Sequence, residues 1–361
     1  MSRRGTKTYS ADTNELASGT RRRLIQVLSR GGRTKGPGRT VLDVTPLSNI
    51  AKLLKQAAKR WVRPFLIPIV RPCIRYAPHE YVRRIVWRHL VGPFFQSADK
   101  PFVVTTIFGA AISGNTKDFI QRRIYYFGVW EPNLTAFLRT RLREGDVFVD
   151  VGANIGYFTL LASKVVGRSG KVIAIEASAE IFSRLLDNLK RNQATNVEAI
   201  NMAASDREGM AKVFLASDFN IGESTTFQKK DGSRYECEVS AKPLDSLIPP
   251  IDMANIRLVK IDVEGAEALV IAGMREVLRR ARSDVEIVVE IRPEELRDHG
   301  KSVKDVFAVF SEFGFFPYRI ENNYDILSYI PLKDIKRPVR IRSPISAQTD
   351  VIFSRADADW L

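Results

Sequence analysis

The sequence predicts an α/β protein with a doubly wound, mostly parallel sheet, and three observations support this. Short apolar runs typical of buried strands alternate with amphipathic helical segments from about residue 101 onwards. Between residues 147 and 201 the order is strand, helix, strand, helix, strand, the repeating unit of a parallel sheet. The first of these strands runs into a glycine-containing turn, the place where open sheets bind their ligands.

Each element is predicted from its periodicity. Helix 116–127, for example, places Ile120, Ile124 and Phe127 on one side. The predicted strands are 102–107, 147–151, 171–175, 197–201, 257–261 and 285–290, the predicted helices are 116–127, 132–142, 155–166, 181–191 and 266–279, and segments 303–313, 315–320 and 350–353 close the domain. Runs 212–215 and 235–239 predict an inserted hairpin.

The composition excludes several classes of protein. Hydrophobic residues make up 45% and charged residues 27% of the 361 residues, which is typical of a folded globular chain. Cys73 and Cys237 are too few for a disulfide scaffold or a cysteine-ligated zinc site, and they favour a reducing, cytoplasmic location. The three histidines leave little from which to build a Ser-His-Asp hydrolase.

The positive charge is confined to the N-terminal part of the chain. Residues 1–100 hold 21 Lys and Arg against 5 Asp and Glu, whereas the remaining 261 residues hold 35 against 36. A surface that follows nucleic acid would spread this charge over the whole body, so the pattern argues against nucleic acid as a partner. We predict a flexible basic arm at 1–45, a basic amphipathic helical extension at 46–100 and the α/β domain at 101–361.

The extension has two interpretations. Its apolar residues recur at helical spacing and two arginines lie four apart on another face, the residues being Val82, Ile85, Val86, Leu90, Arg84 and Arg88. The first interpretation is peripheral contact of residues 61–95 with an anionic membrane, and the second is packing on the α/β domain with the arginines in water. No apolar run is long enough to predict a membrane-spanning helix.

The most informative segment is the turn Asp150-Val-Gly152-Ala153-Asn154-Ile-Gly156. We expect its two glycines to let a ligand approach the backbone. A dinucleotide site would need a glycine where Asn154 stands, and no phosphate loop of the GKS or GKT type occurs, so the turn favours a nucleoside without phosphates. Asp150 would repel a pyrophosphate and attract an ammonium or a sulfonium.

Glu176 ends the second strand of this unit, 24 residues after Gly152. An acidic side chain at this place accepts the hydroxyl hydrogens of a ribose. Together with the turn, it makes S-adenosylmethionine (SAM) the leading ligand. The alternative is an ordinary strand, turn and helix with a solvated glutamate.

At this point the chain shows a family resemblance. Trp130-Glu131-Pro132, the glycine turn, Ala204-Ser205-Asp206 and Lys260-Ile-Asp262-Val-Glu264-Gly265-Ala-Glu267 closely resemble the FkbM family of SAM-dependent methyltransferases over about residues 101–355. The resemblance implies the class I methyltransferase fold, with a seven-stranded sheet whose last strand is antiparallel, and O-methylation of a hydroxyl. One departure is Ala177, which stands where the family usually has proline.

The resemblance also assigns the cofactor site. The implied cofactor-binding residues are Glu131, Asp150, Gly152, Ala153, Asn154, Gly156, Glu176, Ser205, Asp206 and Asp262. Glu131 is expected on the amino group of SAM or on the substrate, with stabilisation of a helix start as the alternative. Ser205 and Asp206 are expected near the adenine, with a helix N-cap as the alternative.

Methyl transfer to an alcohol requires a base near the methyl group. We predict Asp262, Glu264 and Glu290 as catalytic, because they lie at or just beyond the carboxyl ends of two strands and crowded carboxylates raise one another's pKa. Glu267 and His299 are further candidates. The carboxylates also offer ligands for a divalent cation, but without a matching His or Asn set we predict no metal.

We therefore predict a SAM-dependent O-methyltransferase that acts on a saccharide, a glycolipid or a secondary metabolite. We expect it in the cytoplasm, either free or at the inner face of the membrane. The alternative is a non-catalytic binding protein of the same fold whose basic arm engages membrane or nucleic acid.

Overall fold

An eight-stranded sheet determines where the other elements lie. The computed structural model describes residues 70–92, 99–215, 234–298, 300–330 and 335–361. The strands are β1 Pro101–Thr105, β2 Ala111–Asn115, β3 Val147–Val151, β4 Lys171–Ile175, β5 Val197–Ile200, β6 Ala203–Ser205, β7 Gly209–Leu215, β8 Arg234–Pro243, β9 Ile256–Ile261, β10 Glu286–Ile291, β11 Phe316–Ile320, β12 Val339–Arg340 and β13 Thr349–Ser354.

The helices connect these strands. They are α1 Glu80–Ile85, followed directly by a π-helix at Val86–Val91, then α2 Phe119–Phe127, α3 Pro132–Arg141, α4 Tyr157–Val166, α5 Ala179–Arg191, α6 Leu244–Leu247, α7 Pro250–Met253, α8 Glu267–Ala272, α9 Arg275–Arg280, α10 Pro293–Asp298 and α11 Val303–Glu312. The predicted single helix over 266–279 is thus two short helices.

The strand order of the large sheet is β12-β11-β13-β10-β9-β3-β4-β5. Neighbouring strands from β5 to β10 are parallel, whereas β13 runs antiparallel to both β10 and β11. This confirms the predicted doubly wound fold and the antiparallel last strand. The predicted seven strands become eight because β12 pairs with β11 through only two residues, too few to leave a periodic signal in the sequence.

Strand β3 shows how the sheet divides the core. Phe148 belongs to the apolar cluster that contains Leu160 of α4, whereas Val149 belongs to the cluster that contains Val270 of α8. Successive side chains of a strand point to opposite faces, so one strand contributes to both clusters. All five residues of β3 are buried because helices cover both faces of the sheet.

Two hairpins flank this core. The predicted hairpin forms between β7 and β8, and β6 adds to it in a three-stranded sheet of order β6-β8-β7. The other hairpin pairs β1 with β2. Strand β2 was not predicted, because its sequence Ala-Ile-Ser-Gly-Asn contains few residues that favour strands.

The described part of the N-terminal extension packs on the α/β domain through Trp87 and Val91. Trp87 and Val91 are buried, and the Trp87 ring lies 5.5 Å from that of Tyr126. Val82, Ile85 and Leu90, which share the predicted apolar face, are 41%, 40% and 39% exposed. The π-helix at Val86–Val91 has more residues per turn than an α-helix, so an α-helical period places Leu90 rather than Trp87 and Val91 on the buried face of that segment.

The rest of the extension and the predicted flexible arm lie outside the described residues. Within the described residues, none of the helices combines the length and the apolar character that a membrane span requires.

Candidate active site

A cavity of about 520 Å³ opens where β3, β4, β9 and β10 end. Parallel strands present their carboxyl ends at one edge of a sheet, and ligands bind there. Gly152 and Asn154 line it after β3, Glu176 after β4, and Asp262 and Glu264 after β9. Residues from β10 and from irregular segments complete the wall, among them Glu290, Arg292, Trp130, Glu131 and Tyr324.

The glycines of the turn after β3 are required by the protein's own packing. Gly152 has a φ of 78°, and a Cβ built on it would lie 1.8 Å from the backbone oxygen of Asp262. A Cβ on Gly156 would lie 2.6 Å from Cδ1 of Leu185. Packing therefore requires both glycines, and the expectation that they let a ligand approach the backbone stays a prediction. Gly152 lines the cavity, whereas Gly156 does not.

Glu176 is held rigidly at the end of β4. Its Oε2 accepts a hydrogen bond from the backbone N–H of Asn154 at 2.9 Å, and its Oε1 accepts one from Ser178 N–H at 2.9 Å. The side chain lines the cavity although the residue is only 4% exposed. Burial raises the pKa of Glu176 to about 7, against the opposing effect of the two backbone hydrogen bonds.

Asp150 does not line the cavity. It is 1% exposed and accepts a hydrogen bond from Thr159 Oγ1 at 2.6 Å. Its Oδ1 lies 3.8 Å from Nζ of buried Lys260, which in turn lies 3.1 Å from Oδ2 of Asp262. Asp150 therefore positions Lys260, and through Lys260 it positions Asp262. The sequence had instead suggested that Asp150 contacts an ammonium or sulfonium directly.

Asp262, Glu264 and Glu290 converge, with one carboxylate oxygen of each within 4.8 Å of the others. Arg292 forms ion pairs with Glu264 and with Glu290, the latter at 2.8 Å. Burial raises the pKa of Glu290, and the charge of Asp262 raises it further. Burial also opposes ionisation of Asp262, but Lys260 and Arg292 outweigh it and lower the pKa of Asp262.

The three carboxylates offer oxygen ligands of the kind that Mg²⁺ or Ca²⁺ accepts. Arg292 already supplies positive charge to two of them. The absence of a metal in this site therefore stays a prediction, and Arg292 is its physical basis.

Glu267 supports the loop after β9. It is 2% exposed, and its Oε1 accepts hydrogen bonds from the backbone N–H groups of Val263 at 3.3 Å and Gly265 at 3.1 Å. These bonds stabilise the turn in which Glu264 has a φ of 53°. Glu267 is thus a positioning residue for Glu264. The other candidate base, His299, lies outside the described residues.

Three further predicted cofactor residues are not part of the cavity wall. Ala153 is buried, and Asp206 forms an ion pair with Arg207 at 3.1 Å and a hydrogen bond with Ser205 Oγ. The alternative of a helix N-cap at Asp206 is wrong, since strand β7 follows. The wall near this segment consists of Met202, Ala203 and Ala204.

Glu131 lies on the cavity wall immediately before α3 and is 6% exposed. Tyr324 Oη donates a hydrogen bond to Glu131 Oε1 at 3.0 Å. The Tyr324 ring also stacks with Trp130, with 5.6 Å between ring centroids and 25° between ring planes. The Trp-Glu-Pro segment and the loop after β11 therefore meet at the cavity.

Sequence reasoning missed Lys260, Arg292 and Tyr324. A signal existed for the first two: Lys260 stands two residues before Asp262 and Arg292 two after Glu290, and alternate residues of a strand share a face. No local signal indicated Tyr324, because it lies in a loop whose path depends on the rest of the fold.

The strand order, the antiparallel β13 and an acid at the end of β4 beside a turn without a phosphate loop define a class I methyltransferase. Sequence comparison gives the family: residues 150–317 match the methyltransferase FkbM domain. This part of the chain belongs to that family, which confirms the sequence-based assignment and SAM as the cofactor.

The individual relatives are distant. The chain is 29% identical over 134 residues to a protein-L-isoaspartate O-methyltransferase of Methanococcus aeolicus, a match that covers 36% of this chain and 61% of that protein. It is 28% identical over 182 residues to the hexuronic acid methyltransferase AglP of Haloferax volcanii, covering 50% and 68%. A solved SAM-dependent O-methyltransferase of Thermotoga maritima matches with a TM-score of 0.36 and 15% identity, over 74% of this chain and 82% of that chain.

Proposed function

We propose that the protein transfers the methyl group of SAM to a hydroxyl group of a saccharide, a glycolipid or a secondary metabolite. The observation that carries this proposal is the wall formed by Trp130 and Tyr324, a stacked aromatic pair beside the carboxylates of Glu131 and Glu290. Aromatic side chains present large apolar surface, while carboxylates accept hydrogen bonds from hydroxyls. A sugar ring carries both kinds of surface. The similarity to a hexuronic acid methyltransferase supports the saccharide class.

For the cofactor, we assign the ribose to Glu176, whose two oxygens are oriented by backbone hydrogen bonds. Gly152 and Asn154 line the same part of the cavity. Met202 and Ala204 offer apolar surface for the adenine ring. Ala153, Gly156, Ser205 and Asp206 shape this region without lining the cavity.

For the methyl group, we assign Asp262 to the neighbourhood of the sulfonium. Lys260 and Arg292 keep Asp262 ionised, and an ionised carboxylate attracts a sulfonium. The lowered pKa makes Asp262 a weaker proton acceptor than the sequence suggested, and Arg292 pairs with both Glu264 and Glu290.

The test uses the full-length protein and SAM labelled in its methyl group. We expect transfer of label to members of a panel of neutral and acidic oligosaccharides, and we expect the label to resist mild alkali, because a methyl ether is stable where a methyl ester is hydrolysed. Label that alkali releases would contradict hydroxyl methylation. SAM binding without transfer to any member of the panel or to a cell extract would favour the non-catalytic alternative.

We also propose that the described part of the N-terminal extension contacts an anionic membrane surface. Val82, Ile85 and Leu90 expose apolar surface, and the side chains of Arg84 and Arg88 are exposed on the same short segment. Apolar side chains that enter the interface and arginines that meet anionic headgroups act together in such binding. A membrane-held glycolipid acceptor would fit this arrangement.

A further inference from the structure

The backbone at Glu131 is in an unusual conformation for a glutamate. Its φ of 41° and ψ of 75° lie in the left-handed region. Four described non-glycine residues have a positive φ, and three of them, Glu131, Asn154 and Glu264, line the cavity. Such conformations concentrate at functional sites, where the surrounding structure holds them. Thr135 holds the backbone at Glu131 in this conformation. Its hydroxyl donates a hydrogen bond to the backbone oxygen of Trp130, and its backbone N–H donates one to the backbone oxygen of Glu131.

Glu131 also differs from the other cavity carboxylates in its partners. Asp262 is paired with Lys260, and Glu264 and Glu290 are paired with Arg292. Within the described residues no cation forms an ion pair with Glu131, and its hydrogen bond comes from the neutral hydroxyl of Tyr324. A carboxylate held by a hydroxyl remains a better proton acceptor than one neutralised by an ammonium or a guanidinium.

The charges around Glu131 also favour it as a proton acceptor. Burial raises the pKa of Glu131 well above its ordinary value, and nearby carboxylates raise it further while Lys260 opposes them. A base whose pKa lies closer to neutrality is more effective. The titratable groups that act on Glu131 are Asp350, Asp262, Glu290, Lys260, Tyr324, Tyr329 and Tyr157. Burial and the charge of Glu131 raise the pKa of Tyr324, which keeps its hydroxyl protonated as a donor.

We propose that Glu131 is the general base for the acceptor hydroxyl and that Tyr324 is the positioning residue that orients it. This inference rests on the proposed function. The hydroxyl oxygen forms a bond to the methyl carbon of SAM, the carbon–sulfur bond breaks, and its electron pair neutralises the sulfonium. The hydroxyl proton passes to the carboxylate of Glu131, which later releases it to water. Glu131 thus moves from the cofactor set to the acceptor side of the cavity.

The test compares Glu131→Gln and Tyr324→Phe in the full chain, with the acceptor found in the labelling assay. We expect Glu131→Gln to lower kcat by about 10²–10⁴-fold, the usual contribution of a general base. We expect its SAM dissociation constant to change by less than about threefold, because the interaction lost belongs to the transition state. Glu294→Gln, on an exposed surface of α10, is the matched control and should match the wild type.

Tyr324→Phe keeps the ring and removes the hydroxyl. A donor to a carboxylate stabilises the ionised form, so its loss raises the pKa of Glu131. We expect a lower kcat and an acidic limb of the pH–rate profile displaced to higher pH. Tyr76→Phe, at a residue that is 72% exposed, is the control.

Two results would overturn the assignment while leaving hydroxyl methylation intact. One is a Glu131→Gln protein that loses SAM affinity as strongly as turnover, which would return Glu131 to the cofactor. The other is an unchanged pH–rate profile in a folded Tyr324→Phe protein. A wild-type product labile to alkali would instead contradict the proposed function itself, because a carboxylate acceptor needs no base.

Discussion

The backbone N–H of Asn154 donates a hydrogen bond to Oε2 of Glu176 at 2.9 Å, which joins the turn after β3 to the end of β4. With the bond from Ser178 to Oε1, it fixes both oxygens of a buried carboxylate at the cavity wall. The part of the cavity that we assign to the nucleoside is therefore organised by the protein's own hydrogen bonds. What can still change in this part of the cavity is the protonation state of Glu176.

The first prediction is that SAM binding weakens as the pH falls below about 7. Burial raises the pKa of Glu176 to about 7, and protonation converts an acceptor for the ribose hydroxyls into a donor. Affinity should therefore be full above neutrality and fall by up to about tenfold per pH unit below it. Calorimetry from pH 8.5 to 5.5 would measure this.

The control is Glu176→Gln, which should bind SAM more weakly by about 1.5–3 kcal/mol at high pH and lose the pH dependence. If SAM affinity depended on pH in the same way in wild type and variant, the titrating group would be another residue, and Glu176 would not be the ribose contact.

The second prediction separates two effects of replacing a glycine by alanine: the strain of a left-handed backbone and the clash of the added Cβ. Gly152 and Gly109 have similar φ values of 78° and 83°, but a Cβ would meet the Asp262 backbone at Gly152 and nothing within 4 Å at Gly109. We expect Gly109→Ala to cost about 1–2 kcal/mol of unfolding free energy, the price of a left-handed alanine. Gly152→Ala should cost more than about 4 kcal/mol or prevent folding. Equal losses in urea unfolding would contradict the packing role of Gly152.

The third prediction concerns Arg292→Gln. The variant removes the guanidinium that pairs with Glu264 and Glu290, and breaking a buried ion pair costs about 3–5 kcal/mol of unfolding free energy. The loss should be larger at pH 8 than at pH 5, because burial raises the pKa of Glu290 and its protonation at lower pH removes that charge. Arg297→Gln, with an exposed side chain, should change stability by less than about 0.5 kcal/mol. A pH-independent loss would show that packing, not charge, is the contribution of Arg292.

The fourth prediction is that chelation of divalent cations does not affect the enzyme. Arg292 supplies positive charge to two of the three converging carboxylates, which removes the need for a metal ion. Turnover with labelled SAM should be equal before and after treatment with EDTA. Activity that is lost and then restored by Mg²⁺ or Mn²⁺ would identify the carboxylates as metal ligands.

The fifth prediction concerns binding to anionic vesicles. We expect the double variant Arg84→Gln and Arg88→Gln, or the single variant Ile85→Glu, to weaken sedimentation with phosphatidylserine vesicles. Each basic residue contributes about 1 kcal/mol, screened over about 8 Å at physiological salt, so binding should also weaken as salt rises. Arg83 is not part of the double variant because it is buried and cannot meet headgroups.

Ile251→Glu is the matched control, since Ile251 is 81% exposed on α7. A wild-type protein that stays in solution with these vesicles even at low salt would contradict the membrane proposal and leave the exposed face of α1 without this role.

The sequence was most informative where the signal is local. The run of apolar residues in β3, the turn that follows it and the acid that ends β4 are contiguous or separated by one helix, so their relation could be predicted from strand and helix lengths alone. The same reasoning failed for β2 and for the face of the π-helix at Val86–Val91, where pairing with β1 and packing of Trp87 decide the outcome.

By itself, the sequence determined the doubly wound sheet, the edge at which the site lies and the convergence of Asp262 with Glu264 and Glu290, because parallel strands bring their ends together. Tertiary structure decided what each carboxylate can do. The ion pair of Lys260 with Asp150, that of Arg292 with Glu264, and the hydrogen bond from Tyr324 to Glu131 join residues distant in the chain. The proton affinity of a carboxylate depends on those neighbours through space, and no spacing within the sequence encodes them.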